Sequence, residues 1–192
     1  MSDNTEARSA AEAGNSMTAD SGSMEASAAE NQEPAEKKDI AAKKRRAADV
    51  NLVALRMKQY HRGDMKKVQR FVRVYTLAKS IGELEKLSSD EQYCLELAAV
   101  VHNVEGEKIP AVRDILRSCD IAEATAMRVC HMVENAHNYE HIGTLDHQIL
   151  AEAVMIVDFK DNNTPTHDII RLAEDNFITN TGKLFLKRAF NI

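Results

Sequence analysis

Apolar residues recur at helical spacing from Tyr60 to Ile192, and no stretch there alternates between apolar and polar side chains as a half-buried strand does. The chain has only seven glycines and three prolines, whereas an all-β sandwich or barrel needs turn residues after every strand. These features predict an all-α domain. With 192 residues, the chain is long enough for one such domain and a tail, and too short for two full domains.

The composition excludes several classes of protein. The three cysteines, Cys94, Cys119 and Cys130, are odd in number and lack CxxC spacing, which argues against a disulfide framework and a structural zinc site. No apolar run is long enough to span a bilayer. The net charge of −5 gives no reason to expect nucleic-acid binding by the whole chain. We therefore expect a cytoplasmic protein with no membrane or nucleic-acid partner.

The first 46 residues differ from the rest in composition. No aromatic residue precedes Tyr60, and the start of the chain is rich in Ala, Ser, Glu, Asn and Asp. Such a segment buries too little apolar surface to offset the entropy lost on ordering. We expect a disordered tail over 1–46 and a helical domain over 47–192. The tail ends in a basic cluster formed by Lys37, Lys38, Lys43, Lys44, Arg45 and Arg46. Such a cluster is typical of a solvated hinge or of a contact for nucleic acid or anionic lipid.

Local signals mark the ends of the predicted helices. Asp64 begins a helix whose inward face is predicted to be Val68, Phe71, Val72, Tyr75, Ala78 and Ile81. Ser88 and Glu91 form a capping box for the next helix. Further helices are expected over 111–117, from an Asp120–Glu123 cap to about 137, over 145–159, from Thr164–Pro165 to about 176, and over 181–190. The pattern predicts an orthogonal bundle of helices.

Five of the seven histidines lie between His102 and His147, and histidine is the commonest protein ligand for metals. The sequence contains no HExxH, and we expect His131, His141, His147 and His167 to lie at the surface or at helix edges. His102 differs, because it follows the apolar run 97–101 and precedes Gly106. It reads either as a residue pointing into a cleft between helices or as a helix-ending histidine that interacts with the last carbonyls.

Two segments resemble the HD-domain phosphohydrolase superfamily. Arg73-Val74 with Leu77-Ala78 and Ile81 is followed by Ala98-Ala99-Val100-Val101-His102-Asn103-Val104, and the family pattern is a histidine, x-x-Arg/Lys-Val-x-x-x-Ala, then Ala-Ala-φ-φ-His-Asp-φ-Gly. The start Tyr60-His61-Arg62-Gly63-Asp64 is similar to that of small stand-alone bacterial HD proteins. The resemblance covers about 59–192 and implies an HD-type orthogonal bundle.

The resemblance also implies a site for a divalent cation, held by two imidazoles and two carboxylates, that activates water against a phosphoester. The first family histidine falls on Arg70, the His-Asp doublet on His102–Asn103, and the late aspartate on Val154, with Asp158 as an alternative register. The extra family histidines correspond loosely to Asn135, Ala136 and His137. Two negative charges are lost and one positive charge is gained, and each change weakens metal binding by roughly several kcal/mol.

These losses favour a non-catalytic HD-fold protein with no metal cofactor and no catalytic residue. Its partner would be a small phosphorylated ligand or another protein, with Arg70, His102 and Asn103 as candidate ligand-binding residues. The Arg70 guanidinium would meet a phosphate in place of the metal, unless Glu105 or another acid neutralises it and the pocket is vestigial. The alternative is an active phosphohydrolase acting on a nucleotide or phosphoester, with a divalent metal held by His102, His137 and Asp158.

Overall fold

The computed structural model of the chain describes residues 33–136 and 142–192, and within these ranges it forms helices and no strand. The eight helices are α1 (Glu33–Tyr60), α2 (Met65–Leu84), α3 (Ser89–Val101), α4 (Lys108–Arg117), α5 (Glu123–Glu134), α6 (Leu145–Asp161), α7 (Thr166–Asn176) and α8 (Asn180–Phe190). The predicted all-α architecture is confirmed. No helix in these ranges combines the length and apolar character needed to cross a bilayer.

The chain divides into two compact units, residues 1–40 and 41–192. The described part of the first unit is the beginning of α1, and the predicted tail over 1–32 lies outside the described residues. Residues 33–46 are helical where the sequence predicts disorder. Ala, Lys, Arg and Glu dominate this segment, and their high helix propensity favours a helix even without an apolar face to bury.

The core of the second unit lies around α3 and α6. Every residue of α3 from Cys94 to Val101 is buried, and α6 is buried on all its faces along most of its length, as expected for a helix enclosed by neighbours. Helix α2 packs against both. Its buried face includes Val74, whereas Val72, which the spacing places inward, is 42% exposed.

Side-chain caps begin α2 and α3 as predicted. The Asp64 carboxylate accepts hydrogen bonds from the backbone N–H groups of Lys66 and Lys67, at 3.0 and 3.3 Å. The Ser88 hydroxyl accepts from the Glu91 N–H at 3.3 Å, while the Glu91 carboxylate accepts from the Ser88 N–H at 3.0 Å. These reciprocal bonds satisfy N–H groups that have no partner inside the helix.

The predicted Asp120 cap of α5 is wrong. Asp120 has a left-handed backbone, with φ of 55°, and the N–H of Ile121 donates to the carbonyl of Leu116 at 3.2 Å. A left-handed residue followed by such a bond is a helix C-terminal motif. Asp120 therefore belongs to the turn that closes the C-terminal end of α4, and Ala122 precedes α5 without a side-chain cap.

A buried carboxylate on α6 holds the segment that leads into α8. Glu152 is 1% exposed and accepts hydrogen bonds from the N–H groups of Ile178 and Thr179, at 2.8 and 3.0 Å. The Thr179 hydroxyl and the Gln148 amide also donate to it. With these four donors the buried charge is well solvated by the protein. Gly182 in the first turn of α8 leaves the space that the carboxylate occupies.

Candidate functional site

Arg70 on α2 binds two carboxylates at the end of α6. Its Nη2 donates to Oδ1 of Asp158 at 2.6 Å, and its Nη1 donates to Oδ2 of Asp161 at 3.1 Å. Arg73, three residues further along α2, also pairs with Asp161, at 2.8 Å. The side chains of Arg70 and Asp158 are only 24% and 28% exposed, so salt screens this pair less than it screens a fully solvated one.

The structure therefore shows which acids neutralise Arg70. They are Asp158 and Asp161, and not Glu105, the acid that the sequence suggests by name. Glu105 accepts a hydrogen bond from Nζ of Lys67 at 2.7 Å instead. This bond raises the pKa of Lys67 above its usual value. Asp161 is the site residue that sequence reasoning misses, because nothing local links it to a residue on α2.

His102 and Asn103 lie at the end of α3. His102 is 4% exposed, and its Nδ1 donates to the carbonyl of Ala99 at 2.7 Å, so the helix-ending contact that the sequence offers as one alternative is present. Asn103 reaches α2, where its amide nitrogen donates to the Lys67 carbonyl at 3.1 Å. Lys67 lies one helical turn before Arg70. Asn103 thus packs against the same end of α2 that carries Arg70.

His61 is a further polar residue at this end of α2. It is 7% exposed, its Nε2 lies 3.2 Å from Oδ1 of Asn103, and its ring stacks on Phe71 with the centroids 6.4 Å apart. In the sequence, His61 stands out only as part of the Tyr60–Asp64 motif. The resemblance to HD proteins uses that motif only to place the start of the domain. The contact helps to fix the orientation of the Asn103 amide.

The positions that the resemblance assigns to metal ligands include side chains that cannot bind a cation. Val154 is fully buried and has no donor atom, and Asp158 one turn later already neutralises a guanidinium. No group of three or more His, Cys, Asp or Glu side chains within 33–136 and 142–192 is arranged to hold a metal ion. His137 of the alternative ligand set lies outside the described residues. A cation at Asp158 would have to displace Arg70.

An open groove with a volume of about 910 Å³ runs along the first turns of α2. Its walls combine apolar side chains with an unusual concentration of positive charge for a chain of net charge −5. The lining residues are Lys58, Met65, Lys66, Lys67, Val68, Gln69, Arg70, Val72, Arg73 and Asp161. Five cations and one acid line it, which makes the groove electropositive and suited to an anion.

A second polar cluster lies at the start of α6. Asp146 is fully buried and accepts a hydrogen bond from Nη2 of Arg128 at 2.6 Å. The neighbouring His147 is 1% exposed, so its predicted surface location is wrong, because α6 is enclosed on every side at this point. His131 and His167 are exposed as predicted, and His141 lies outside the described residues.

Burial of His147 predicts a pH-dependent stability. Loss of solvation lowers the pKa of this ring below its usual value of 6.5, so the unfolded chain takes up a proton that the folded chain resists. We expect the free energy of unfolding to fall as the pH drops below about 6.5. Urea unfolding at a series of pH values measures it. His147→Gln should flatten the profile and His167→Gln should not; equal profiles in wild type and His147→Gln would contradict the assignment.

Comparison of the chain with family models, with curated proteins and with solved structures found no match. The resemblance to HD domains consequently depends on the residues of the chain itself. What the structure adds to them is an all-helical architecture, the Arg70–Asp158 ion pair and the contact of Asn103 with α2.

Proposed function

We propose that the chain is an HD-type orthogonal helical bundle in which Arg70 has taken the place of the metal ion, and that it binds a small phosphate-bearing anion without hydrolysing it. The observation that carries the proposal is the Arg70–Asp158 ion pair at 2.6 Å. Arg70 has the position that the resemblance gives to the first family histidine, and Asp158 lies one helical turn after Val154, the position that it gives to the late aspartate. A guanidinium between α2 and α6 supplies the positive charge that the metal supplies in the family.

Hydrolysis needs more than a positive charge. In the family reaction the metal lowers the pKa of a bound water molecule and so generates the nucleophile at neutral pH. A guanidinium has no open coordination position, and Arg70 has its two Nη atoms engaged by Asp158 and Asp161. Asn103 carries no charge, and its amide is occupied by His61 and the Lys67 carbonyl. With these partners neither side chain can activate water, and the contacts to a phosphate would come from the lysines of the groove.

The groove supports an anionic ligand. Lys58 and Lys66 line it, and neither forms an ion pair with another residue of the described ranges, so their charges are available to a ligand. Lys67, Arg70 and Arg73 add positive charge that Glu105, Asp158 and Asp161 offset. The volume of about 910 Å³ suits a ligand of the size of a nucleotide. Apolar walls from Met65, Val68 and Val72 suit a ligand that is not uniformly polar.

A titration with pyrophosphate tests this proposal. Chemical-shift perturbation should locate binding on α2, and the double variant Lys58→Gln/Lys66→Gln should bind about tenfold more weakly, since two exposed ion pairs together contribute about 1.4 kcal/mol. Lys183→Gln/Lys187→Gln, two exposed changes on α8, is the matched control and should bind as wild type does.

Two results would overturn the proposal. One is equal affinity in both double variants, which would place the ligand elsewhere. The other is manganese-dependent release of phosphate from a nucleotide or phosphoester by the wild-type chain, which would establish the alternative of an active phosphohydrolase with other ligands. Binding of the ligand with no turnover, and with the predicted loss in the groove variant alone, supports the proposal.

A further inference from the structure

His147 is a buried histidine with an unused ring nitrogen. Its side chain is 1% exposed, and its Nε2 has no hydrogen-bond partner among the residues that the structure describes. When Nε2 carries no proton, its lone pair can accept a hydrogen bond or bind a metal ion.

Imidazole nitrogens are the commonest protein ligands for transition-metal ions. The Nε2 of His147 is therefore a candidate ligand atom. A buried nitrogen lone pair without a donor also costs free energy unless something binds it.

A second imidazole, that of His131, lies next to the ring of His147. His131, near the end of α5, is exposed, and its ring centroid is 6.0 Å from that of His147, with the two planes at 71°. Two imidazoles bound to one metal ion place their centroids roughly 5 to 6 Å apart, because each metal–nitrogen bond is about 2.1 Å long. His131 is open to solvent, so an arriving ion would meet this ring first.

We propose that His131 and His147 form a two-histidine site for a borderline transition-metal ion, Zn²⁺ or Cu²⁺, that links α5 to α6. Imidazole ligands select such ions over Mg²⁺ and Mn²⁺, which prefer oxygen ligands. Two protein ligands leave the remaining positions to water, so binding is weaker than at a four-ligand structural site. The site uses none of the residues around Arg70, so this proposal does not depend on the proposed anion groove.

The test uses the full-length chain without an affinity tag. Calorimetric titration should show one saturable Cu²⁺ or Zn²⁺ site, with Cu²⁺ tighter than Zn²⁺ and no heat from Mn²⁺ or Mg²⁺. His131→Gln should weaken the affinity more than about tenfold. His167→Gln is the matched control, because His167 is an exposed histidine on α7 with 82% of its side chain accessible, and it should bind the metal as wild type does.

A second readout avoids any change to the buried ring. In imidazole nitrogen NMR, saturating Zn²⁺ should shift the Nε2 resonance of His147. Equal affinity of His131→Gln and His167→Gln would overturn the proposal. An Nε2 resonance of His147 that stays unchanged at saturating Zn²⁺ would overturn it as well, since the ion would then be bound elsewhere.

Discussion

Gly182→Ala should remove about 3 kcal/mol or more of the free energy of unfolding. A Cβ atom at this position would stand 1.9 Å from Oε2 of Glu152 and 2.7 Å from Oγ1 of Thr179. Neither group can move freely, because the carboxylate is buried and holds four donors. Overpacking alone costs about 1–3 kcal/mol, and breaking a buried charged network costs about 3–5 kcal/mol. Urea denaturation measures the loss.

Gly143→Ala is the matched control for this substitution. No atom lies within 4 Å of the Cβ position at Gly143, so the added methyl group meets open space. The variant should be unchanged or more stable by up to about 1 kcal/mol, because alanine restricts the unfolded chain. Similar destabilisation of the two variants would mean that the Glu152 cluster does not constrain the start of α8.

Restoring the family ligands should create a manganese response that the wild-type chain lacks. The triple variant Arg70→His, Asn103→Asp and Val154→Asp rebuilds two imidazoles and two carboxylates if the correspondence holds, and it releases Asp158 from its guanidinium. Val154 is fully buried in the core, so the metal-free variant should lose several kcal/mol of stability. Manganese at one hundred times its Kd should return about 2.7 kcal/mol, read as a rise in melting temperature.

Val154→Asp alone is the control for the triple variant. It should be destabilised to a similar degree, because the buried carboxylate is the same, but manganese should not rescue it while Arg70 and Asn103 remain. Rescue of the single variant, or no rescue of the triple variant that still folds, would contradict the placement of the late aspartate at Val154. The register at Asp158 would then be the one to rebuild.

The parts of the fold that the sequence predicts correctly depend on short-range chemistry. The Asp64 cap and the Ser88–Glu91 box lie within a few residues of the N–H groups that they satisfy, so spacing alone identifies them. The predicted Asp120 cap also depends on short-range chemistry, and it is wrong. An acidic residue just before a helix can either cap that helix or close the preceding one. Here the left-handed backbone at Asp120 closes the preceding helix, and the sequence contains no glycine at that position to signal it.

The candidate site is less predictable, because its contacts are between residues distant in sequence. The sequence suggests Glu105 or another acid as the partner of Arg70, but the acids that bind it lie 88 and 91 residues later in the chain. His147 fails for a related reason. Helix α6 is enclosed on all faces. The spacing of apolar residues along a helix does not show how many other helices surround it in the packed bundle.

A manganese titration of the purified wild-type chain tests the central claim most directly. If the Arg70 guanidinium stands where the family holds its metal, the melting temperature should stay unchanged from micromolar to millimolar manganese, and the protein should carry no stoichiometric manganese or iron after purification. Zn²⁺ or Cu²⁺ at the histidine pair would not affect this result, since those ions report on a different site. A saturable rise in melting temperature at micromolar manganese, or one equivalent of bound manganese or iron, would contradict the account.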